Sequence, residues 1–162
     1  LPIMLANLEG ILPPVDGRQS PAAIAVARGV GRLMLARGFA IVHELPLATG
    51  RRADVVGLGA DGELWIIEIK SSVEDFRADH KWEDYRFSCD RLFFASHAGV
   101  PQEIFPDDAG FILSDQFGAE MLRDAPEHKL AGATRKAMLV RIAQAAAHRL
   151  HGLIDPGASA DL

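Results

Sequence analysis

Asp54, Glu68 and Lys70 are the residues of this chain whose types and spacing could do chemistry. They fall inside a stretch, Arg52 to Lys70, that otherwise reads as two apolar strands around a glycine-rich turn. Ionised groups are expensive to bury unless they are paired or hold a metal ion. A charged trio in an apolar hairpin is therefore either a structural ion-pair cluster or an active site. With Ala60-Asp61-Gly62 as a three-residue turn and Gly62 left-handed, the register places Asp54 opposite Glu68. Opposed carboxylates in an apolar sheet repel each other. Lys70 points to the same side as Glu68, but a divalent cation neutralises the pair more economically. Mg²⁺ accepts one or two protein carboxylates and completes its shell with water and phosphate. Such an ion can polarise a phosphate and activate water, and a lysine beside it can stabilise developing charge or position the water. Glu44, on the preceding strand, is a third carboxylate that faces Asp54 if the first hairpin's register allows.

The elements that must position these groups are legible. Ser20-Pro21 reads as a helix start, Ser as N-cap and Pro at the first helical position. Ile24, Val26, Ala27, Val30, Leu33 and Met34 follow at helical spacing, and Gly38 ends that helix. Strands are predicted over 39–47, 53–58 and 63–70, joined by turns at Ala48-Thr49-Gly50 and Ala60-Asp61-Gly62. Ser71 with Glu74 suggests a capping box, opening a helix that continues, with room for a break, to about Cys89. A strand over 91–96, a loop holding Pro101 and Pro106, a hairpin about Gln116-Phe117-Gly118 and an Ala-rich helix over 132–150 complete the order. The reading is one α/β domain over 20–151, a mixed sheet flanked by helices with an α-β-β-β-α-β core. Residues 1–19 read as an arm and 152–162 as a frayed tail.

Composition narrows the function. The 162 residues are 49% hydrophobic and 24% charged, as in a soluble globular domain, with no apolar run long enough for a bilayer. The N-terminal residues do not read as a secretory signal. A single cysteine, Cys89, excludes a disulfide framework and a multi-cysteine zinc site, and fits a cytoplasmic location. A net charge of -5 argues against a protein that coats long nucleic acid, not against an enzyme with a local basic patch. Gly57-Leu58-Gly59-Ala60-Asp61-Gly62 matches a dinucleotide fingerprint in letters alone, because a strand follows where that fingerprint needs a helix. Oligomeric state is open, a homodimer being the commonest assembly.

Asp54 followed by Glu68-Ile69-Lys70 on the next strand resembles the PD-(D/E)xK nuclease superfamily, with Ala53 where that family has proline. Lys81-Trp82-Glu83-Asp84-Tyr85 resembles the Gln-x-x-x-Tyr motif of RecB-like members, with Lys81 replacing Gln. With Ala27-Arg28-Gly29, Gly50-Arg51-Arg52-Ala53-Asp54, Glu68-Ile69-Lys70-Ser71-Ser72 and Cys89-Asp90-Arg91, the match extends to the MmcB-like bacterial DNA-repair family over most of 21–150. The resemblance implies a restriction-endonuclease-like fold and DNA phosphodiester hydrolysis with Mg²⁺ or Mn²⁺. It implies Asp54 and Glu68 as metal ligands, the Ile69 backbone carbonyl as a further one, and Lys70 as the catalytic lysine. The superfamily often adds an acid on its first helix; residues 21–37 contain none.

Blander readings stand beside these. The bland reading of Asp54, Glu68 and Lys70 is a buried ion-pair cluster with no ligand at all. At their spacing Lys81 and Tyr85 share a helical face, one that would look toward the site and the DNA backbone; equally, Tyr85 packs. Arg51 and Arg52 either contact phosphate or form a solvated turn. A non-catalytic DNA-binding or adaptor module on the same fold is the alternative to a nuclease.

Overall fold

The first helix is built by its ends. Ser20 Oγ accepts from the Ala23 N–H at 3.1 Å and Pro21 occupies the first turn, so α1 runs Pro21–Ala36. It closes in a Schellman arrangement: Gly38 takes a φ of +81°, its N–H bonds Leu35 O, and the Phe39 N–H bonds Met34 O at 3.0 Å. The computed structural model describes residues 19–157, so the expected arm, Gln19 apart, and residues 158–162 of the expected tail lie outside the described residues.

Six strands follow among the described residues: β1 (Ala40–Pro46), β2 (Arg52–Leu58), β3 (Leu64–Ile69), β4 (Arg91–Ser96), β5 (Gly110–Ser114) and β6 (Ala119–Arg123). They form one sheet in the order β1-β2-β3-β4-β5-β6. β3–β4 and β4–β5 are parallel; the other pairs are antiparallel. All three expected hairpins form, β1–β2, β2–β3 and β5–β6. Gly50 (φ +84°) and Gly62 (φ +88°) supply the left-handed residue of the first two turns, a conformation glycine adopts without a Cβ penalty.

β3 is the sheet's buried centre, and its alternate residues feed two cores. Trp65 and Ile67 pack with Val26, Val30 and Met34 of α1 on one face. Leu64 and Ile66 pack on the other face with Met138 and Ile142 of the last helix, α3 (Gly132–Ile154), four residues longer than its apolar pattern predicts. A third cluster, Phe94, Phe105 and Phe111 with Phe76 and Trp82, fills the end of the sheet beneath the β3–β4 crossover. Helices on both faces of a mixed, open sheet are the architecture expected from the sequence.

That crossover departs from one continuous helix. α2 spans only Val73–Ala78, the chain breaks over Asp79–Lys81, and a 3₁₀ helix covers Trp82–Ser88. The cap also shifts by one residue. Ser72, not Ser71, is the N-cap, accepting from the Asp75 N–H at 3.0 Å, while Asp75 rather than Glu74 reaches back to the Ser71 N–H.

Candidate active site

The β2–β3 ladder runs from Leu58↔Leu64 to Val55↔Ile67. At the next rung side chains stand in for backbone. Glu68 Oε1 accepts the Asp54 N–H at 3.0 Å, and Asp54 Oδ2 accepts the Ile69 N–H at 2.8 Å. Each carboxylate thus satisfies an amide of the facing strand, which fixes both side chains side by side at the end of the hairpin. The expected juxtaposition of Asp54 and Glu68 is what the chain forms.

Glu68 is only 2% exposed, and Asp54 beside it is half-buried. Burial pushes the Asp54 carboxyl up against the opposing pull of the Ile69 N–H and Lys70. Glu68 rises well above the ordinary range through burial and then through the charge on Asp54. Burial and the Glu68 charge also push up the phenol of Tyr85, whose hydroxyl donates to Arg52 O at 3.2 Å.

Asp90 shows how the same chain treats a purely structural buried carboxylate. It is 1% exposed, takes the Leu64 and Leu130 N–H groups at 2.8 and 2.9 Å, and holds Arg135 in a two-pronged pair at 2.7 and 2.6 Å. Despite burial, Arg135 and those amides hold its pKa down to about 2. Asp54 and Glu68 take one amide each and feel the Lys70 charge but have no ion pair of this kind, because the Lys70 ammonium is paired elsewhere. Its Nζ lies 2.8 Å from Asp79 Oδ2, with the lysine side chain 8% exposed. Against burial, the Lys70 hydrogen bond and charge hold Asp79 low.

The remaining expected residues line up unevenly. Glu44 enters the same pocket, of about 380 Å³, as Asp54, Glu68, Ile69, Lys70 and Tyr85. It takes a φ of +50°, rare for a residue with a side chain and the kind of strain that collects at functional sites. Its carboxylate meets Arg52 Nε at 2.6 Å and the Gln19 amide at 2.8 Å. Arg51 folds back onto Asp79 and Asp84 at 3.4 and 3.5 Å and lies over the Tyr85 ring. Arg52 remains 46% exposed at the pocket rim.

The expectation of a common face for Lys81 and Tyr85 needs correction. Lys81 precedes the 3₁₀ helix and is exposed, whereas Tyr85 is buried against the sheet. Residues three apart eclipse in a 3₁₀ helix, so residues four apart diverge. Among the described residues no group of three or more His, Cys, Asp or Glu is placed to hold a metal ion, so a cation here would have two carboxylates, a carbonyl and solvent or phosphate. Sequence reasoning missed Asp79 and Gln19, whose local surroundings carry no distinguishing pattern.

A family model described as DNA repair protein MmcB-like matches residues 12–157. The chain belongs to the MmcB-like family. Its mixed, open sheet, with Asp54 on β2, Glu68 and Ile69 closing β3 and Lys70 just beyond it, is a restriction-endonuclease-like α/β fold. A solved structure of a protein of unknown function from Silicibacter pomeroyi is 44% identical to this MmcB-like chain, covering 89% of it and 99% of its own length, with a TM-score of 0.83. A repair endonuclease from Pyrococcus abyssi is 18% identical over 52% of this chain and 40% of its own, with a TM-score of 0.35, a likeness too slight to bear on activity. No curated protein matches. No described helix is long and apolar enough to cross a membrane.

Proposed function

We propose that this MmcB-like chain is a Mg²⁺- or Mn²⁺-dependent deoxyribonuclease that hydrolyses DNA phosphodiester bonds in repair. The observation that carries the reading is the pair Asp54 and Glu68: side by side, Glu68 buried and Asp54 half-buried, both raised in pKa, and with the neighbouring Lys70 committed to Asp79. Charge left uncompensated in a shared pocket is the electrostatic preparation for a cation. The donors fit a hard ion, since Asp54, Glu68 and the Ile69 carbonyl offer only oxygen and the pocket leaves room for water and a phosphate. When bound, such an ion supplies Lewis acidity to the scissile phosphate. Lys70, held at the pocket wall, orients the attacking water and stabilises the charge that develops on phosphate. Arg52 and Lys81 are the phosphate contacts of this reading, Arg51 being held by Asp79 and Asp84, and Tyr85 stiffens the wall by holding the Arg52 carbonyl.

The test is cleavage of a panel of single-stranded, duplex, nicked and branched DNA with Mg²⁺ or Mn²⁺ by the wild type, Asp54→Asn and Lys70→Ala. Loss of cleavage in both variants, with unchanged circular dichroism, is expected; full activity in both would refute the assignment. A second reading, a DNA-binding or adaptor module without hydrolysis, is favoured by one observation: the first turn of α1 carries no acidic residue. DNA binding without cleavage or calorimetric metal uptake would select it.

A further inference from the structure

We infer that Asp79 is a positioning residue: its carboxylate holds the Lys70 ammonium off Asp54 and Glu68, and so reserves that acidic pair for a divalent cation. This rests on the metal-dependent reading above and adds to it the residue that keeps the site from closing on itself.

A lysine two residues from a buried glutamate is a threat to a metal site. Its ammonium is a compact charge with three donors on a flexible four-carbon stem. It lines the same pocket as the acids, and both feel its charge. If that ammonium settled on Asp54 and Glu68, it would satisfy the oxygens that a cation needs, and the two would compete.

The structure prevents this from both ends of the side chain. The root is pinned: the Lys70 N–H bonds Ala95 O at 3.0 Å, and its carbonyl accepts from Ser96 Oγ at 2.6 Å. The tip is captured by Asp79 Oδ2 at 2.8 Å. Asp79 is itself fixed. Its N–H bonds Phe76 O at the end of α2, and its Oδ1 accepts from the Lys81 N–H at 3.2 Å and Arg51 NH1 at 3.4 Å. The break between α2 and the 3₁₀ helix is what turns this carboxylate inward.

The charges of the cluster close without the acidic pair. Lys70 and Arg51 meet Asp79 and Asp84, two cations against two anions. Asp75, at the rim, spends its carboxylate on the Ser71 N–H. Asp54 and Glu68 are left with two backbone N–H groups, the Tyr85 hydroxyl at Glu68 and each other, and with no ion pair among the described residues.

The experiment compares Mn²⁺ binding by calorimetry, and the position of Lys70 by crystallography, in the wild type, Asp79→Asn and Asp79→Asn/Lys70→Met. Asparagine keeps the shape and the Lys81 hydrogen bond while removing the charge; Asp79→Ser serves if the asparagine variant does not fold. In Asp79→Asn the Lys70 ammonium should move onto Asp54 or Glu68, and Mn²⁺ affinity should fall about tenfold as the ammonium competes for the ligand oxygens. Removing that ammonium in the double variant should restore affinity at least to the wild-type level, a rescue that a merely structural role of Asp79 would not show. Unchanged Mn²⁺ affinity in the single variant, or a double variant as weak as the single one, would overturn the inference. Should the wild type take up no Mn²⁺, the nuclease reading fails by itself. The place of Lys70 in the Asp79→Asn crystal then decides the present point, supporting it if the ammonium has moved and sinking it if not.

Discussion

Glu68→Gln should make the metal-free protein more stable at pH 8, while Asp90→Asn makes it less so. Glutamine retains the oxygen that accepts the Asp54 N–H and removes a charge that burial and Asp54 both oppose. Relieving an uncompensated buried charge is worth on the order of 1–3 kcal/mol. The sign depends on pH. The folded site holds protons that the unfolded chain has released, so its contribution to stability is greatest below the ordinary carboxylate range and is lost as pH rises through the raised values. The groups facing Glu68 that set this window are Asp54, Lys70 and Tyr85, with Asp75 acting through Asp54. The gain from glutamine should therefore appear at pH 8 and vanish near pH 4. Asp90 runs the other way. Its pKa of about 2, against 3.8, is worth about 2.5 kcal/mol at ~1.4 kcal/mol per unit. That stability is complete above the ordinary value near pH 4 and is lost as pH falls through about 2. The assay is urea unfolding in chelator at both pH values. Saturating Mn²⁺ should then reverse the ranking, adding about 2.7 kcal/mol to the wild type at a hundredfold excess over Kd and little to the variant. A Glu68→Gln protein that is less stable than wild type at pH 8 without metal, or equally shifted at pH 4 and pH 8, would show that the pair's charge is already compensated.

Two predictions concern the scaffold. A Cβ on Gly29 would lie 2.1 Å from the Asp115 carbonyl oxygen and 2.4 Å from that of Gly118, both backbone atoms, so Gly29→Ala should cost about 3 kcal/mol or more in urea unfolding, and a loss under about 1 kcal/mol would contradict the close packing of α1 on the β5–β6 turn. The Cys89 thiol, pushed up to about 12 by burial and bonded to Tyr85 O, should resist thiol reagents at pH 8 until the protein unfolds; prompt labelling of the native state would place that sulfur at the surface.

Much of the site could be read before any coordinates. Gly50 and Gly62 mark turns whose length sets hairpin register, and the period of two then puts Asp54 against Glu68. The apolar flanks of Glu68 announce the burial that the structure shows. The crossover was less legible. Ser71 and Glu74 offer a plausible cap, yet Ser72 and Asp75 take those roles, because neighbouring hydroxyl and acidic residues compete for one helix start within a single turn. Lys81 and Tyr85 look paired only if the helix is α and unbroken.

What the sequence determined by itself is what acts over a few residues: strand phase, turn handedness, the cap of α1, and the presence of an acid pair with a lysine beside it. The tertiary structure alone decided which charge answers which. Asp79 reaches Lys70 because the chain breaks and turns inward after α2, and Arg135 reaches Asp90 across 45 residues because α3 lies over the end of β3. Ion pairing depends on distance and on exclusion of water, and both are set by how separate elements pack, not by any local pattern.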